Sequence, residues 1–412
     1  MNLPNWLKRG EKKSTDINTI LRRIGLRKNT AAGVMINEET ALQSPTFFAA
    51  VTGISRTIAQ LPLDVVQRDA DGVQHKVKNH PLYRLLVIRP NEWQSRYEYW
   101  MVVATNLLMH NVFYAFKNQV ANGRILNLHP LTPDSVTPEQ RPDMKMEYRV
   151  AYKDGTIEVV PGNKIHRILL QSADGINPIS PIESLKESLG LEIAAEKFGA
   201  NMFNNGAIPN MILKHPSTFK DNEVYTRFKE TWESANKKGG TAILEEGMDV
   251  EKVQHSANES QFLETRKLNR SVIAGAMNLS PHRVGDLSRA NFSNVENLSL
   301  EYVVYSVMPI LIAIETAITR DLIPEGQQGS LFVKFNVDGL LRGDTKTRAE
   351  ALKLMRESGI INANEWRAME DMNPIEGDAG EIYIRPLNMQ SDGEEDSRPE
   401  TEPNPDQDDG TE

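Results

Sequence analysis

The chain has 412 residues, 39% of them hydrophobic, enough for two or three domains or one composite body. It contains no cysteine, which excludes disulfides, thiolate metal centres and cysteine catalysis and is compatible with a reducing cytosol. The net charge of −9 resides in residues 389–412, where ten acids face Arg398 alone; with three prolines and no aromatic residue, this tail is expected to be disordered.

At the other end, residues 1–30 carry eight bases against two acids, readable as a solvated arm or as a contact for DNA or an acidic partner. Residues 1–13 are polar and basic, without the apolar run of a secretion signal. The first ordered element is expected at 45–60, capped by Ser44, with Phe47, Val51, Ile54 and Ile58 along one face. Residues 63–68 and 73–77 flank Asp71-Gly72 and read as a hairpin. Ser95 and Glu98 form a capping box that opens a helix to about residue 109. Strands are then expected at 112–118 and 124–128 around Asn122-Gly123, and at 146–153 and 156–160 around Asp154-Gly155. This is an α+β region with antiparallel pairing.

Ser180-Pro181-Ile182-Glu183 opens a long helix with a capping box and proline at the first helical position. Ile182, Leu185, Leu189 and Ile193 recur at helical spacing until Asn204-Asn205-Gly206 stops the run. A strand at 210–213, a helix at 221–236 faced by Val224, Phe228 and Trp232, and a hairpin of 241–244 with 248–254 make a compact insert. A second long helix is expected at 259–277, with Arg266, Lys267 and Arg270 within about a turn. A Pro-His loop follows, in which Ser280 is expected to cap the turn. A third helix should run from 291 to about 322, bent at Pro309. Its uncharged stretch, 302–314, is shorter than the roughly 18–20 residues a membrane span needs, so it reads as a buried helix and no membrane partner is expected. A strand at 331–337 and short helices at 345–358 and 362–372 complete the body.

No catalytic constellation emerges. The chain has no phosphate-binding Gly-Lys-Ser/Thr loop, no His-Glu-x-x-His and no Gly-x-Ser-x-Gly. His80, His129 and His215 each precede a proline and read as loop residues, and Glu245-Glu246 as a solvated pair at a turn. Asp371, Glu376, Asp378 and Glu381 lack the alternating ligand spacing of a calcium loop. The expected catalytic, cofactor and metal residues are therefore none.

Three segments bear on family. Phe203-Asn204-Asn205-Gly206-Ala207-Ile208-Pro209, Ser280-Pro281-His282-Arg283-Val284-Gly285-Asp286 and Phe292-Ser293-Asn294-Val295-Glu296-Asn297 stand in the order and spacing of tailed-phage portal proteins of the HK97 type. Ile58-Ala59-Gln60-Leu61-Pro62-Leu63 and Gly359-Ile360-Ile361-Asn362-Ala363-Asn364-Glu365-Trp366-Arg367 extend the resemblance over about residues 40–388. The family pattern often has a second proline where this chain has Ser280.

The resemblance implies an α+β portal fold. Its parts are a flexible basic arm (1–39), an α/β wing (40–179), a first stem helix (180–205), a small α/β clip (206–257) and a second stem helix (258–279). A tunnel-loop region (280–293), a long kinked helix with wing return (294–342), a small helical crown (343–388) and the acidic tail (389–412) follow. It further implies a homo-oligomeric ring, a dodecamer in the virion, at one capsid vertex. Double-stranded DNA passes through that ring; the terminase large subunit, the major capsid protein and head-completion or adaptor proteins are its partners.

On that reading the tunnel-loop candidates are Arg283, Asp286, Ser288, Arg289 and Asn291, with Lys267 and Arg270 as stem candidates. Tyr225, Lys229, Trp232, Lys237 and Lys238 are the clip's docking candidates. Arg289 could touch phosphate or pair with an acid of a neighbouring subunit, and Lys267 and Arg270 face the same choice. Two other readings remain: a capsid or adaptor protein that encloses no DNA, and a carboxylate hydrolase.

Overall fold

The computed structural model describes residues 30–121, 123–204, 211–214, 222–237, 249–252, 256–286, 295–337, 340, 345–370 and 372–384. The chain divides into two units, Met1–Gly339 and Leu340–Glu412.

In the first unit, α1 (Pro45–Gln60) starts where expected: Ser44 Oγ accepts the Phe47 amide at 3.2 Å. Strands β1 (Leu63–Arg68) and β2 (Gln74–Lys76) pair antiparallel around Gly72, whose φ of +86° suits glycine at this tight turn. Helix α2 (Arg96–His110) carries the full Ser95/Glu98 capping box. Next come β3 (Val112–Gln119), β4 (Ile125–Leu131), β5 (Val136–Gln140), β6 (Met146–Ala151), β7 (Ile157–Pro161) and β8 (Ile165–Leu169). They form two antiparallel sheets, ordered β4-β3-β8 and β5-β6-β7.

Strand β3 is central and buried on both faces, so its sequence does not alternate. Val112 and Tyr114 join a core with Val136, Tyr148, Val150, Val160 and Ile165. Phe113, on the other face, meets Tyr99 of α2 edge-on at 5.8 Å. His129, expected in a loop, instead lies in β4, stacked on Trp93 at 4.9 Å. Its neighbour Pro130 is tolerated because β4 is an edge strand and needs hydrogen bonds on one side only. His80 does sit at a turn, its Nδ1 accepting the Leu82 amide at 3.2 Å, whereas His215 lies outside the described residues.

The long helix α3 (Pro181–Asn204) spans about 36 Å at 1.5 Å per residue. Ser180 Oγ accepts the Glu183 amide at 3.3 Å. The insert follows, with β9 (Met211–Lys214), α4 (Asn222–Lys237) and β10 (Asp249–Lys252). The expected partner of β10, residues 241–244, lies outside the described residues; among the described ones β10 pairs antiparallel with β9. An alternating pattern marks a strand without naming its neighbour, and here the neighbour comes from across α4.

Helix α5 (Ser256–Ala276) leads to a short 3₁₀ turn at Pro281–Val284. Ser280 does not cap that turn through its side chain as expected; its backbone carbonyl accepts the Arg283 amide at 2.9 Å. The third long helix is not one continuous α-helix. Helix α6 (Val295–Glu301) passes into a π-helical stretch, Tyr302–Val307, and then into α7 (Met308–Leu322). Pro309 lacks an N–H and its ring would strike the Tyr305 carbonyl, so the wider turn just before it relieves the clash expected to bend the helix. Met308 N donates to Val303 O, five residues back.

The stretch Leu298–Leu322 is long and apolar enough to cross a membrane by length and composition, and half of it is buried within the protein. The helix expected to be buried is thus buried along one side. Ile310, Leu311, Ile314 and Ile318 face the core, while Leu300, Val304, Tyr305 and Ile312 are exposed. Strand β11 (Leu331–Phe335) then pairs with β1, closing a sheet ordered β11-β1-β2.

Helix α7 joins two sheets through two half-buried carboxylates. Glu315 Oε1 accepts the Phe335 amide of β11 at 2.8 Å, and burial pushes the Glu315 carboxyl up against that bond. Asp321 Oδ2 lies 3.0 Å from His166 Nδ1 on β8 and accepts the Arg167 amide at 2.9 Å. Arg320 Nε donates to Asp321 Oδ1 at 2.6 Å, and Lys117 Nζ of β3 donates to the Asp321 carbonyl at 2.8 Å. Burial opposes ionisation of Asp321, but hydrogen bonds from Arg320 and His166 outweigh it and hold the carboxyl below its usual range. Burial also keeps His166 below its ordinary value, so it faces Asp321 as a neutral donor.

In the second unit, α8 (Thr345–Glu357) and α9 (Ala363–Met369) are clipped by Arg348 to Glu370 at 2.6 Å. Asn362 and Glu365 form a capping box on α9, which ends three residues before the expected stop at 372.

The Asp321 cluster predicts acid sensitivity. An Asp321 carboxyl held below its unfolded value of 3.8 contributes stability that is complete above that value and lost as pH falls below it. His166, held below its ordinary value of 6.5, subtracts stability on acidification because the unfolded chain alone takes up its proton. The expected result is a thermal midpoint that falls steadily from pH 6.5 downward. Asp321→Asn should cost about 1.5–3 kcal/mol at neutral pH, since His166 and the Arg167 amide lose a charged acceptor, and should flatten the acid dependence.

Candidate functional site

The two long helices run antiparallel, since Arg266 of α5 meets Glu196 of α3 at 3.7 Å while Asn269 Nδ2 donates to the Ser188 carbonyl at 2.9 Å. Leu189 and Ile193 on α3 and Ile273 and Ala274 on α5 are buried. Leu268 and Val272 share an outer face of α5 and are exposed, Leu268 by 67%, and Leu263, on another side of the helix, is exposed as well. The stem candidates separate here. Arg270 is half-buried; burial and the neighbouring Glu192 push the Glu196 carboxyl up, and Arg266 and Arg270 oppose that rise. Lys267 is exposed, and no described carboxylate lies within ion-pair distance of it.

The upper part of α3 is fastened to α1. Glu192 is buried and accepts from Thr46 Oγ1 at 2.5 Å and from Ser44 Oγ, the same hydroxyl that caps α1. A carboxylate at a helix N-terminus also meets the positive end of the helix dipole.

Of the tunnel-loop candidates, Arg283 and Asp286 are described, and Ser288, Arg289 and Asn291 lie outside the described residues. The Arg283 guanidinium sits 4.2 Å from the centroid of the Tyr302 ring in the π-helical stretch. Tyr302 in turn donates its hydroxyl to Thr57 Oγ1 of α1 at 2.8 Å. Arg283 is thereby held against the protein body. Asp286 is half-buried, its amide donating to the Pro281 carbonyl at 3.1 Å. Between them Gly285 has φ +87°, a conformation that favours glycine. Burial and the Arg283 charge lower the pKa of His282, opposed by Glu301.

Of the docking candidates, Tyr225 and Lys229 are exposed on α4, and Trp232 is half-buried because its ring stacks on Phe228 at 6.3 Å. Lys237 ends α4, and Lys238 lies outside the described residues. Sequence reading missed the Asp321 cluster and Glu192, since neither follows a spacing rule and both are assembled from elements far apart in the chain. It also missed Glu38, His110 and Asp134, the one group among the described residues with metal-ligand types in mutual reach. Glu38 Oε1 faces His110 Nε2 at 3.4 Å and Asp134 Oδ1 faces Nδ1 at 4.0 Å. The carboxylates address opposite nitrogens of one ring, which suits a two-sided ion pair better than a cation that takes one nitrogen.

Two long helices packed antiparallel with an exposed apolar flank, attached to an α+β body and carrying a small α/β insert between them, are the features of an assembly subunit. The chain belongs to the phage portal protein family, whose sequence profile matches residues 45–371. A probable portal protein of Streptomyces phage phiC31 is 32% identical over 381 residues, covering 89% of this chain and 82% of that one. The portal protein of Enterobacteria phage HK97 is 30% identical over 357 residues, covering 85% and 83%. Among solved structures, a chain from the neck of an empty gene transfer agent particle superposes with TM-score 0.61 at 22% identity over 82% of this chain and 93% of that one. An HK97-family portal protein from Corynebacterium diphtheriae gives TM-score 0.56 at 17% identity, covering 77% and 99%. The family is a structural one.

Removing the Arg283 side chain should lower stability by about 0.5–1 kcal/mol, the worth of an exposed cation–π interaction. Thermal denaturation of Arg283→Ala reads this; an unchanged midpoint would mean the guanidinium spends its time in solvent. Arg270→Ala should destabilise more than Lys267→Ala in the same assay, because only Arg270 serves a neighbouring carboxylate.

Proposed function

We propose that the chain is the portal subunit that closes into a ring at one capsid vertex and conducts double-stranded DNA during packaging and ejection. The observation that carries this reading is α5, where Leu268 and Val272 on the outer face and Leu263 on another side lack cover within the subunit. A ring built from heterologous contacts must bury two different flanks of every subunit, and an isolated subunit then exposes apolar side chains on packed helices. A conduit must also hold DNA loosely, because affinity rises with each phosphate neutralised by Lys or Arg. The balance of charge over residues 1–388 agrees with that requirement.

In this reading α3 and α5 are the stem, the insert between them is the clip and Leu340–Glu412 contains the crown. Lys267 and the loop residues Arg289 and Ser288 are the channel candidates, with Arg283 acting to brace the loop base. The terminase large subunit docks on the clip through Tyr225, Lys229, Trp232, Lys237 and Lys238, and head-completion or adaptor proteins replace it there. The wing meets the major capsid protein. Assembly takes place in the host cytoplasm and the product resides in the virion. The chain catalyses nothing, and a separate ATPase supplies the energy of translocation, consistent with the missing phosphate-binding loop.

Negative-stain electron microscopy with native mass spectrometry should find closed rings with a central hole, near twelve times the 46.4 kDa subunit or a neighbouring multiple. A closed dimer without an axial hole would sink the reading. Once rings form, Arg289→Ala should leave assembly intact and alter DNA retention. Lys267→Ala should make the salt dependence of DNA binding shallower, by about one unit for each phosphate that is no longer neutralised.

A further inference from the structure

Strand β7 closes the sheet β5-β6-β7, and among the described residues no strand covers its far side. The hairpin it forms with β6 tells which backbone groups face outward. Tyr152 N donates to Thr156 O at 2.8 Å, one step beyond the paired Ala151 and Ile157. Antiparallel bonding alternates residue by residue, so Glu158 and Val160 bond to β6 while Ile157 and Val159 turn their backbone groups away from it. The side chains of Ile157 and Val159 are 57% and 51% exposed, on the face opposite the buried Val160. Edge strands are usually blunted by charge, proline or a cover. Here Pro161 only ends the edge, and Glu158, on the other face, is engaged by the Tyr152 hydroxyl at 2.9 Å.

A cavity of about 680 Å³ adjoins this edge, with Val159 and Tyr148 in its lining beside Arg141, Lys145, Arg167 and Arg320. Its lip is closely packed: a Cβ on Gly162 would come within 2.6 Å of the Met146 carbonyl. Two acids also line it: Asp321 is taken up by Arg320, and Glu147 lies 4.0 Å from Arg141. Arg167 donates to the Ile176 and Gly175 carbonyls, and Lys145 has no carboxylate within ion-pair distance among the described residues. The cavity is therefore basic in balance. At the hairpin tip between β5 and β6, Met144 is 72% exposed and holds φ +64°, a strained setting for a residue with a side chain.

We propose that the outer edge of β7 is a strand-addition site for an extended peptide segment of a partner protein that alternates apolar and acidic residues. Its backbone pairs with Ile157 and Val159, its apolar side chains cover theirs, and its carboxylates reach Lys145 and Arg141. Free backbone donors and acceptors on a sheet edge select a polypeptide, and the cations select an acidic one. A polynucleotide supplies negative charge without the complementary ladder. The inference does not depend on ring formation.

The test uses the purified full chain and a fluorescein-labelled short peptide alternating Val and Glu, followed by anisotropy. Saturable binding is expected, and the same peptide with Lys in place of Glu should bind at least about tenfold more weakly. Val159→Pro removes an outward N–H without touching the bonds to β6 and should weaken binding by up to about tenfold. Lys145→Glu should weaken binding and flatten its salt dependence. If the proline variant does not fold, methylation of alternate backbone nitrogens in the Val/Glu peptide makes the same cut from the ligand side. Four results would overturn the proposal: no saturable binding, equal binding of the lysine peptide, indifference to backbone methylation, or displacement by a short DNA duplex. Self-association of the chain that Val159→Pro abolishes would also overturn it, by assigning the edge to a second copy.

Discussion

The attachment of α7 to two sheets at once is the constraint from which the body of this subunit follows. Glu315 holds the β11 edge through the Phe335 amide, and six residues later Asp321 holds β8 and, through its own carbonyl, Lys117 of β3. Burying these groups is expensive, and each is tolerable only because its partners are in place. The arrangement therefore works as a register pin: sliding α7 by one turn would leave the buried His166 and Lys117 without their partners on α7. That fixes where the π-helical stretch falls, and with it Tyr302, Thr57 and the base of the loop carrying Arg283.

A similar device holds the stem. Glu192 accepts hydroxyl hydrogens at the N-terminus of α1, and Asn269 and Arg266 fasten α5 to α3. The polar ties sit on the inner side of the helix pair and the uncovered apolar residues on the outer side. Such a subunit has its internal geometry specified by directional bonds and its external association left to non-directional burial, which suits repeated copies meeting along long helices.

Much of this was readable in the chain. Ser44, Ser95 and the Pro181 start place helices because the cap satisfies orphan amides locally, whatever the tertiary surroundings. The Asp71-Gly72 and Asp154-Gly155 turns place hairpins because glycine alone enters the left-handed region without strain, and both have positive φ. Other features were not readable. His129 looked like a loop residue from its proline neighbour and lies in a strand, since only the sheet order reveals that β4 is an edge. That β9 is a neighbour of β10 was not readable for the same reason, alternation being silent about pairing. That Arg283, a tunnel-loop candidate, stacks on a tyrosine nineteen positions on was not readable either, because the arrangement depends on the turn at Gly285 and the π-helical stretch together.

By itself the sequence determined the element order, the local starts and stops, the lack of thiol chemistry and the ordered motifs that place the chain among portal proteins. These depend on interactions within a few residues or on linear order, and both are written directly in the chain. Only the tertiary structure decided which charges are spent inside the subunit and which remain for partners. Arg270, Arg283 and Lys117 are engaged, whereas Lys267, Lys145 and the outward backbone of β7 are presented to the outside. The physical reason is that desolvation and partner geometry set the role of a charged or polar group, and both are properties of elements brought together from distant parts of the chain.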